Sequence, residues 1–133
     1  MLLVSTIVKS SPIHGLGCYA AEPIKKGQLV WRFDERLDRR IAAADLPDLP
    51  QPAQDFLRMY AYREVYRGQD VYTLCGDHAR HMNHSDDANL LSTGLELEMD
   101  VAVRDIEVGE ELTCNYNEFD LDIGHKLATD VSA

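Results

Sequence analysis

Three short segments hold the side chains of this sequence that could do chemistry. His14-Gly15-Leu16-Gly17 carries two glycines, which let main chain lie against a ligand where a Cβ would collide. Ala79-Arg80-His81-Met82-Asn83-His84-Ser85 ends on an amide and an imidazole, and Gly109-Glu110-Glu111-Leu112-Thr113-Cys114-Asn115-Tyr116 ends on a phenol. Each has a plainer reading. A lone GxG more often marks a tight turn, Asn and His often finish a helix, and a tyrosine often closes a strand in a core. No third glycine and no following helix accompany Gly15 and Gly17, so a dinucleotide loop is excluded. Cys75, His78, His81 and His84 recur at every third position, a spacing that invites zinc. On a helix His84 lies well round the cylinder from His78, so this run would need a distorted backbone to close a four-ligand site. No metal site is expected.

These groups must be positioned by short strands, because turn signals break the chain at close intervals. Strands are expected over 4–9, 18–20 and 28–33, the last following the turn Lys25-Lys26-Gly27. Residues 34–53, with mixed charge and then Pro47, Pro50 and Pro52, read as an irregular insert or short helix edge. A hairpin is expected from 58–66 and 71–74 around Gly68-Gln69-Asp70, putting Tyr60 and Tyr62 on its first strand. Cys75-Gly76-Asp77 leads into a short helical turn before Asn83. Residues 96–103 alternate, with Leu97, Met99, Val101 and Val103 on one side and Glu98, Asp100 and Ala102 on the other. Another strand is expected over 112–116. Periodicity thus indicates one α+β domain, mainly β, over 1–133, with its core in about 3–119 and a weakly patterned tail at 117–133.

The second and third segments, in this order, resemble the two signature segments of SET-domain protein-lysine methyltransferases, written RFINHSCxPN and GEELTxDY. Residues 11–20, Ser-Pro-Ile-His-Gly-Leu-Gly-Cys-Tyr-Ala, resemble the family's opening segment. The resemblance implies a fold of small curved sheets with a C-terminal pseudoknot, a feature that general topology rules would not suggest. It implies S-adenosylmethionine as cofactor, beside Gly15, Leu16, Gly17, Asn83, His84 and Tyr116, and methyl transfer to a lysine side chain. Tyr116 takes the family's catalytic tyrosine position. Phe33, Tyr60, Tyr62 and Phe119 are the candidates for the substrate channel. Phe33 stands where the family commonly has a tyrosine, and Asp86 stands where many members have a zinc-binding cysteine. No cysteine follows Cys114, so the zinc-bearing post-SET element is not expected, and the tail or a second copy in a homodimer must cover the channel. A catalytically inactive SET-like module binding a basic peptide or the cofactor is the alternative.

Charge fits a cationic protein partner. The chain of 133 residues carries a net −10. Residues 1–83 hold 10 acidic and 11 basic side chains (+1), and residues 84–133 hold 13 and 2 (−11). Nucleic acid demands the opposite sign, whereas a negative field concentrates cationic ligands. No apolar run approaches the ~20 residues that cross a bilayer, and residues 2–8 make a poor signal peptide. Three cysteines without a CxxC spacing suit reduced thiols in an intracellular, cytoplasmic setting.

Overall fold

The structure, a computed structural model, describes residues 1–93, 98–118 and 120. Small sheets dominate it. Strands β1 (Thr6–Ser10) and β2 (Leu16–Ala20) form an antiparallel hairpin. A second sheet has the order β3-β9-β8, from Leu29–Arg32, Met99–Ala102 and Leu90–Ser92, all antiparallel. A third, ordered β4-β6-β5, comes from Arg39–Ala42, Gln69–Leu74 and Tyr62–Tyr66. The last pair, β7 (Asn83–His84) with β10 (Thr113–Cys114), is parallel. This is the α+β, mainly β SET fold expected from the resemblance.

Residues 34–60 are more ordered than their composition suggests. They contain β4, a 3-10 helix at Ala43–Asp48 and the α-helix α1 at Gln51–Tyr60. Prolines explain the helix start, since Pro52 falls in its first turn, where a missing N–H costs nothing. The expected strand over 58–66 is therefore corrected: Tyr60 ends α1, and the strand runs only from Tyr62. The hairpin survives with a different turn. Tyr66 pairs with Gln69, leaving Arg67 and Gly68 as a two-residue loop with φ of 49° and 77°. Positive φ at both central positions matches the right-handed twist of the flanking strands.

Two apolar clusters hold these sheets. The larger unites Cys18, Ile24, Val30, Met82, Leu90, Ile106, Leu112 and Cys114. Full burial of such a side chain contributes about 1.5–3 kcal/mol, so this cluster fixes β2, β3, β7, β8 and β10 against one another. Leu46, Leu57, Ala61 and Tyr72 pack α1 onto the β4-β6-β5 sheet. The alternation expected over 96–103 does not show in the burial of β9, where Met99, Asp100 and Val101 are all half-buried, and Glu98, Asp100 and Ala102 do not form an outer face. Ala102 is buried in the main core, and the Asp100 side turns inward. Leu97, like Phe119, lies outside the described residues.

Candidate functional site

The parallel junction of β7 with β10 builds the site. Thr113 pairs with Asn83 and Cys114 with His84, bringing two segments distant in sequence side by side. Asn89 locks the junction, accepting from the Thr113 N–H at 2.9 Å and donating to the Glu111 carbonyl at 2.8 Å. Leu112 N–H donates to the Cys18 carbonyl, so the same segment also rides against β2. The C-terminal segment thereby enters the body of the domain, where the pseudoknot was expected.

Asn83 is buried, and its amide ties three parts of the chain together. It donates to the His14 carbonyl (3.2 Å), the Leu16 carbonyl (3.1 Å) and the Glu111 carboxylate (2.9 Å). Ser11 Oγ donates to the same carboxylate. Gly17 faces this network. A Cβ there would sit 2.5 Å from Glu111 Oε2 and 3.0 Å from the Ser11 Cβ. The Glu111 carboxylate by itself requires glycine at 17. Glu110 closes a turn by accepting from the Glu107 N–H.

His84 acts on Tyr116. Its Nδ1 accepts from the Tyr116 backbone N–H at 3.1 Å, so the ring proton must sit on Nε2, which contacts Asp86 Oδ1 at 2.9 Å. The two rings lie 5.2 Å apart and tilted. Tyr116 begins a 3-10 helix (Tyr116–Glu118), and its hydroxyl donates to the Met82 carbonyl at 2.7 Å. With that proton committed, the oxygen can act towards a guest only as an acceptor. Below the helix, Asp120 accepts from the Arg63 N–H and donates its own N–H to the Tyr116 carbonyl, which anchors the turn on β5.

Two cavities meet at this tyrosine. One is bounded by His14, Gly15, Leu16, His81 and Asn83. The other is walled by Trp31, Tyr62, Cys75, Cys114 and a set of carboxylates: Glu64, Glu98, Asp100 and Glu118. Met59, Tyr60, Arg80, Met82 and Tyr116 belong to both. Arg80 is held by its Nε–H to the Cys75 carbonyl at 3.0 Å, leaving its cationic head at the border.

The second cavity is an unusual electrostatic environment. Burial pushes the Asp100 carboxyl up to about 6, a rise that Ser92's hydrogen bond opposes and the Glu118 charge reinforces. Burial also raises Glu64, with Thr73's hydrogen bond opposing it. Tyr62 and the thiols of Cys75 and Cys114 are driven well above their ordinary values by burial, with nearby carboxylates adding to it. Such groups are neutral at pH 7 and act as apolar wall. Arg40 partly balances the carboxylates: it bonds Glu98 and lies 3.9 Å from Glu64.

Most of the expected residues converge, and some do not. Gly15, Leu16 and Asn83 line the first cavity, Tyr62 the second, and Tyr60 and Tyr116 both. Gly17 and His84 line neither; they act through Glu111 and Tyr116. Phe33, expected in the channel, lines neither cavity. Its ring is stacked 3.6 Å from the Arg40 guanidinium, with Tyr66 on the cation at 3.7 Å, one layer behind the wall. Trp31, two positions earlier, takes the wall position instead. Positions 31 and 33 share parity along the chain, so the difference lies in what each ring meets: Phe33 packs on the Arg40 guanidinium. Sequence reading missed Trp31, Glu64 and Asp100; the period-2 pattern of β9 was a signal for Asp100, but not for which side faced the cavity. Phe119 lies outside the described residues.

Among the described residues no group of three or more His, Cys, Asp and Glu side chains is arranged to hold a metal. His78 Nδ1 is engaged with Thr6 Oγ1, and His84 as above. The three cysteines are free and buried. Among the described residues no helix is long and apolar enough to cross a membrane.

Comparison with known proteins places this geometry. The SET domain family model matches residues 15–117, and the chain belongs to that family. An apo structure of ctPRC2, with substitutions in its Ezh2 subunit, is similar at 22% identity and a TM-score of 0.69, over 92% of this chain and 16% of that one. A ctPRC2 structure in an autoinhibited conformation bound to S-adenosylmethionine is similar at 20% identity and 0.62, over 95% and 17%. A Plasmodium falciparum protein named as a candidate histone methyltransferase is similar at 20% and 0.60, over 86% of this chain and 95% of that one. The chain therefore spans about a sixth of the PRC2 chains it resembles and nearly all of the Plasmodium one. A comparison with curated proteins finds no match. Membership carries the family's cofactor class, S-adenosylmethionine.

Proposed function

We propose that this chain transfers a methyl group from S-adenosylmethionine to a lysine side chain of a protein. The observation that carries the reading is the position of Tyr116 on a wall shared by two cavities. A two-substrate displacement needs one site for the donor, one for the acceptor, and a single reacting centre between them. The cavity at His14–Leu16 and Asn83 fits the donor. It offers a main-chain cradle, and the cation of Arg80 at its border suits a ligand with an amino-acid carboxylate. When bound, the cofactor supplies an electrophilic methyl group.

The chain's own residues then have three tasks. Met59, Tyr60, Met82 and Tyr116 form the walls common to both cavities, excluding water and holding donor and acceptor in register. Fixing two reactants in line is worth on the order of 7–11 kcal/mol in model systems. Burial among Trp31, Tyr60, Tyr62 and the neutral thiols works against a charged amine, whose usual pKa is ~10.4, while the carboxylates of the same wall work for it. Tyr116, its proton engaged by Met82, presents an acceptor that orients N–H or C–H groups at the junction. His84, through Tyr116's backbone, holds that oxygen in place.

The partner in this proposal is a basic, lysine-bearing protein, matched to the −11 of residues 84–133. Free, buried thiols support an intracellular setting. Incubation with labelled S-adenosylmethionine and a panel of lysine-rich proteins, followed by mass spectrometry, tests the reading. Methyl-lysine formation is expected. Cofactor binding without transfer to any basic protein would favour the non-catalytic binding module.

A further inference from the structure

The acidic cavity contains an ordered row whose polar atoms the methyl-transfer reading does not use. Across the β8-β9-β3 sheet, Ser92 pairs with Asp100, and Asp100 pairs with Trp31. Directly paired residues project to the same face of a sheet, with Cβ atoms about 4.5–5.5 Å apart. All three line the cavity. Ser92 Oγ donates to Asp100 Oδ1 at 2.9 Å, the one donor to that carboxylate among the described residues. Trp31 is 4% exposed, and its buried indole N–H has no partner. An unpaired buried donor costs about 1–3 kcal/mol, so this orphaned indole marks an imperfectly satisfied polar spot beside Asp100.

We propose that Ser92, Asp100 and Trp31 form the amine-recognition floor of this cavity, where Asp100 accepts a hydrogen bond from the substrate's terminal ammonium beside the Trp31 ring. The inference rests on the methyl-transfer reading for its choice of lysine as guest, but not for the chemistry of the floor. The oxygen of Asp100 that Ser92 does not engage can take an N–H, and an aliphatic ammonium supplies it. The cation next to the donor is then selected by charge and not by apolar fit alone. Before attack the ammonium must lose one proton, and Asp100 is the carboxylate placed to receive it, passing from COO⁻ to COOH as the amine becomes neutral.

Several ionisable groups face Asp100. Glu118 comes from the 3-10 helix and Glu98 from its own strand, with Glu64 and Tyr62 from β5. Cys75, Cys114, Tyr116 and Arg80 complete the wall, and Arg40 offsets Glu64 and Glu98. Burial puts the proton loss of Asp100 at about 6. Ammonium binding should therefore tighten as pH rises through that value.

The chain has a single tryptophan, so the Trp31 indole resonance reports on the floor without ambiguity. n-Butylammonium is titrated into the full chain without cofactor, at constant ionic strength, with 1-butanol as the uncharged control. Saturable shifts of the indole N–H are expected with the amine, about tenfold tighter at about pH 7.5 than at about pH 5. Butanol should bind weakly and without pH dependence. Asp100→Asn, with the amide spectrum verifying its fold, should abolish the pH step. Ser92→Ala should move the step to higher pH, since the hydroxyl favours the ionised carboxylate. Equal binding of amine and butanol, or a pH step that persists in Asp100→Asn, would overturn the assignment. Amine binding in a protein that transfers no methyl group would leave the floor standing and remove the enzyme reading. Methyl transfer with no indole response to amine would do the reverse.

Discussion

Replacing Gly17 by Ala tests whether the opening glycine pair serves a ligand or the fold. The new methyl carbon would lie 2.5 Å from Glu111 Oε2, 3.0 Å from its Cδ and 3.0 Å from the Ser11 Cβ. Backbone at 17 is pinned inside β2 by pairing with Lys9, so the carboxylate must move. Moving it loosens the bonds from Ser11 Oγ at 2.8 Å and from Asn83 Nδ2 at 2.9 Å. Hydrogen bonds to charged groups contribute about 1.5–3 kcal/mol each, while Ala recovers about 0.4–1 kcal/mol by restricting the unfolded chain. Partial loss of both bonds gives a net destabilisation of about 2–4 kcal/mol, or roughly 5–15 °C in Tm for a domain of this size. Urea melts read the loss, and a double-mutant cycle assigns its cause. In a Glu111→Ala background the clashing carboxylate is gone, so Gly17→Ala should cost less than half as much. A full-sized cost in both backgrounds, or a single variant within about 0.5 kcal/mol of wild type, would refute the account.

Tyr116→Phe should reduce methyl transfer by about 100-fold or more while leaving cofactor affinity within a few-fold by calorimetry, because the hydroxyl serves the chemical step. Asn83→Ala should weaken the cofactor by about 1–3 kcal/mol, measured the same way, since the 14–16 segment loses its anchor. For stability, Asp100→Asn should raise Tm at alkaline pH. The folded state holds this carboxyl's proton up to about 6, above its ordinary value of 3.8. Its ionisation therefore opposes folding increasingly as pH climbs through that interval, and the gain from Asn should vanish below it. Thermal melts at acid and alkaline pH decide this. Association with a Lys-rich peptide should slow as salt rises, and a rate independent of salt would leave the acidic half a solubility feature.

The sequence by itself determined the family, the sheet-rich class and the identity of Asn83, His84 and Tyr116, because these lie in contiguous strings whose order carries the information. It also marked the hairpin around Gly68, where local backbone preference suffices. It did not show that 51–60 is helical, since the prolines that start α1 also mark irregular chain, and burial of Leu57 on Tyr72 arbitrates only after folding. It placed Phe33 in the channel wall, whereas Trp31 lines the cavity and Phe33 packs on Arg40. Nor did it link Gly17 to Glu111, or Asp100 to Trp31 and Ser92. Those pairings join strands distant along the chain, and a cavity is a property of the side chains that meet across it. Alternation in β9 separates two faces; only the position of the rest of the protein decides that the acidic one looks inward, where desolvation turns an ordinary aspartate into a group poised near neutrality.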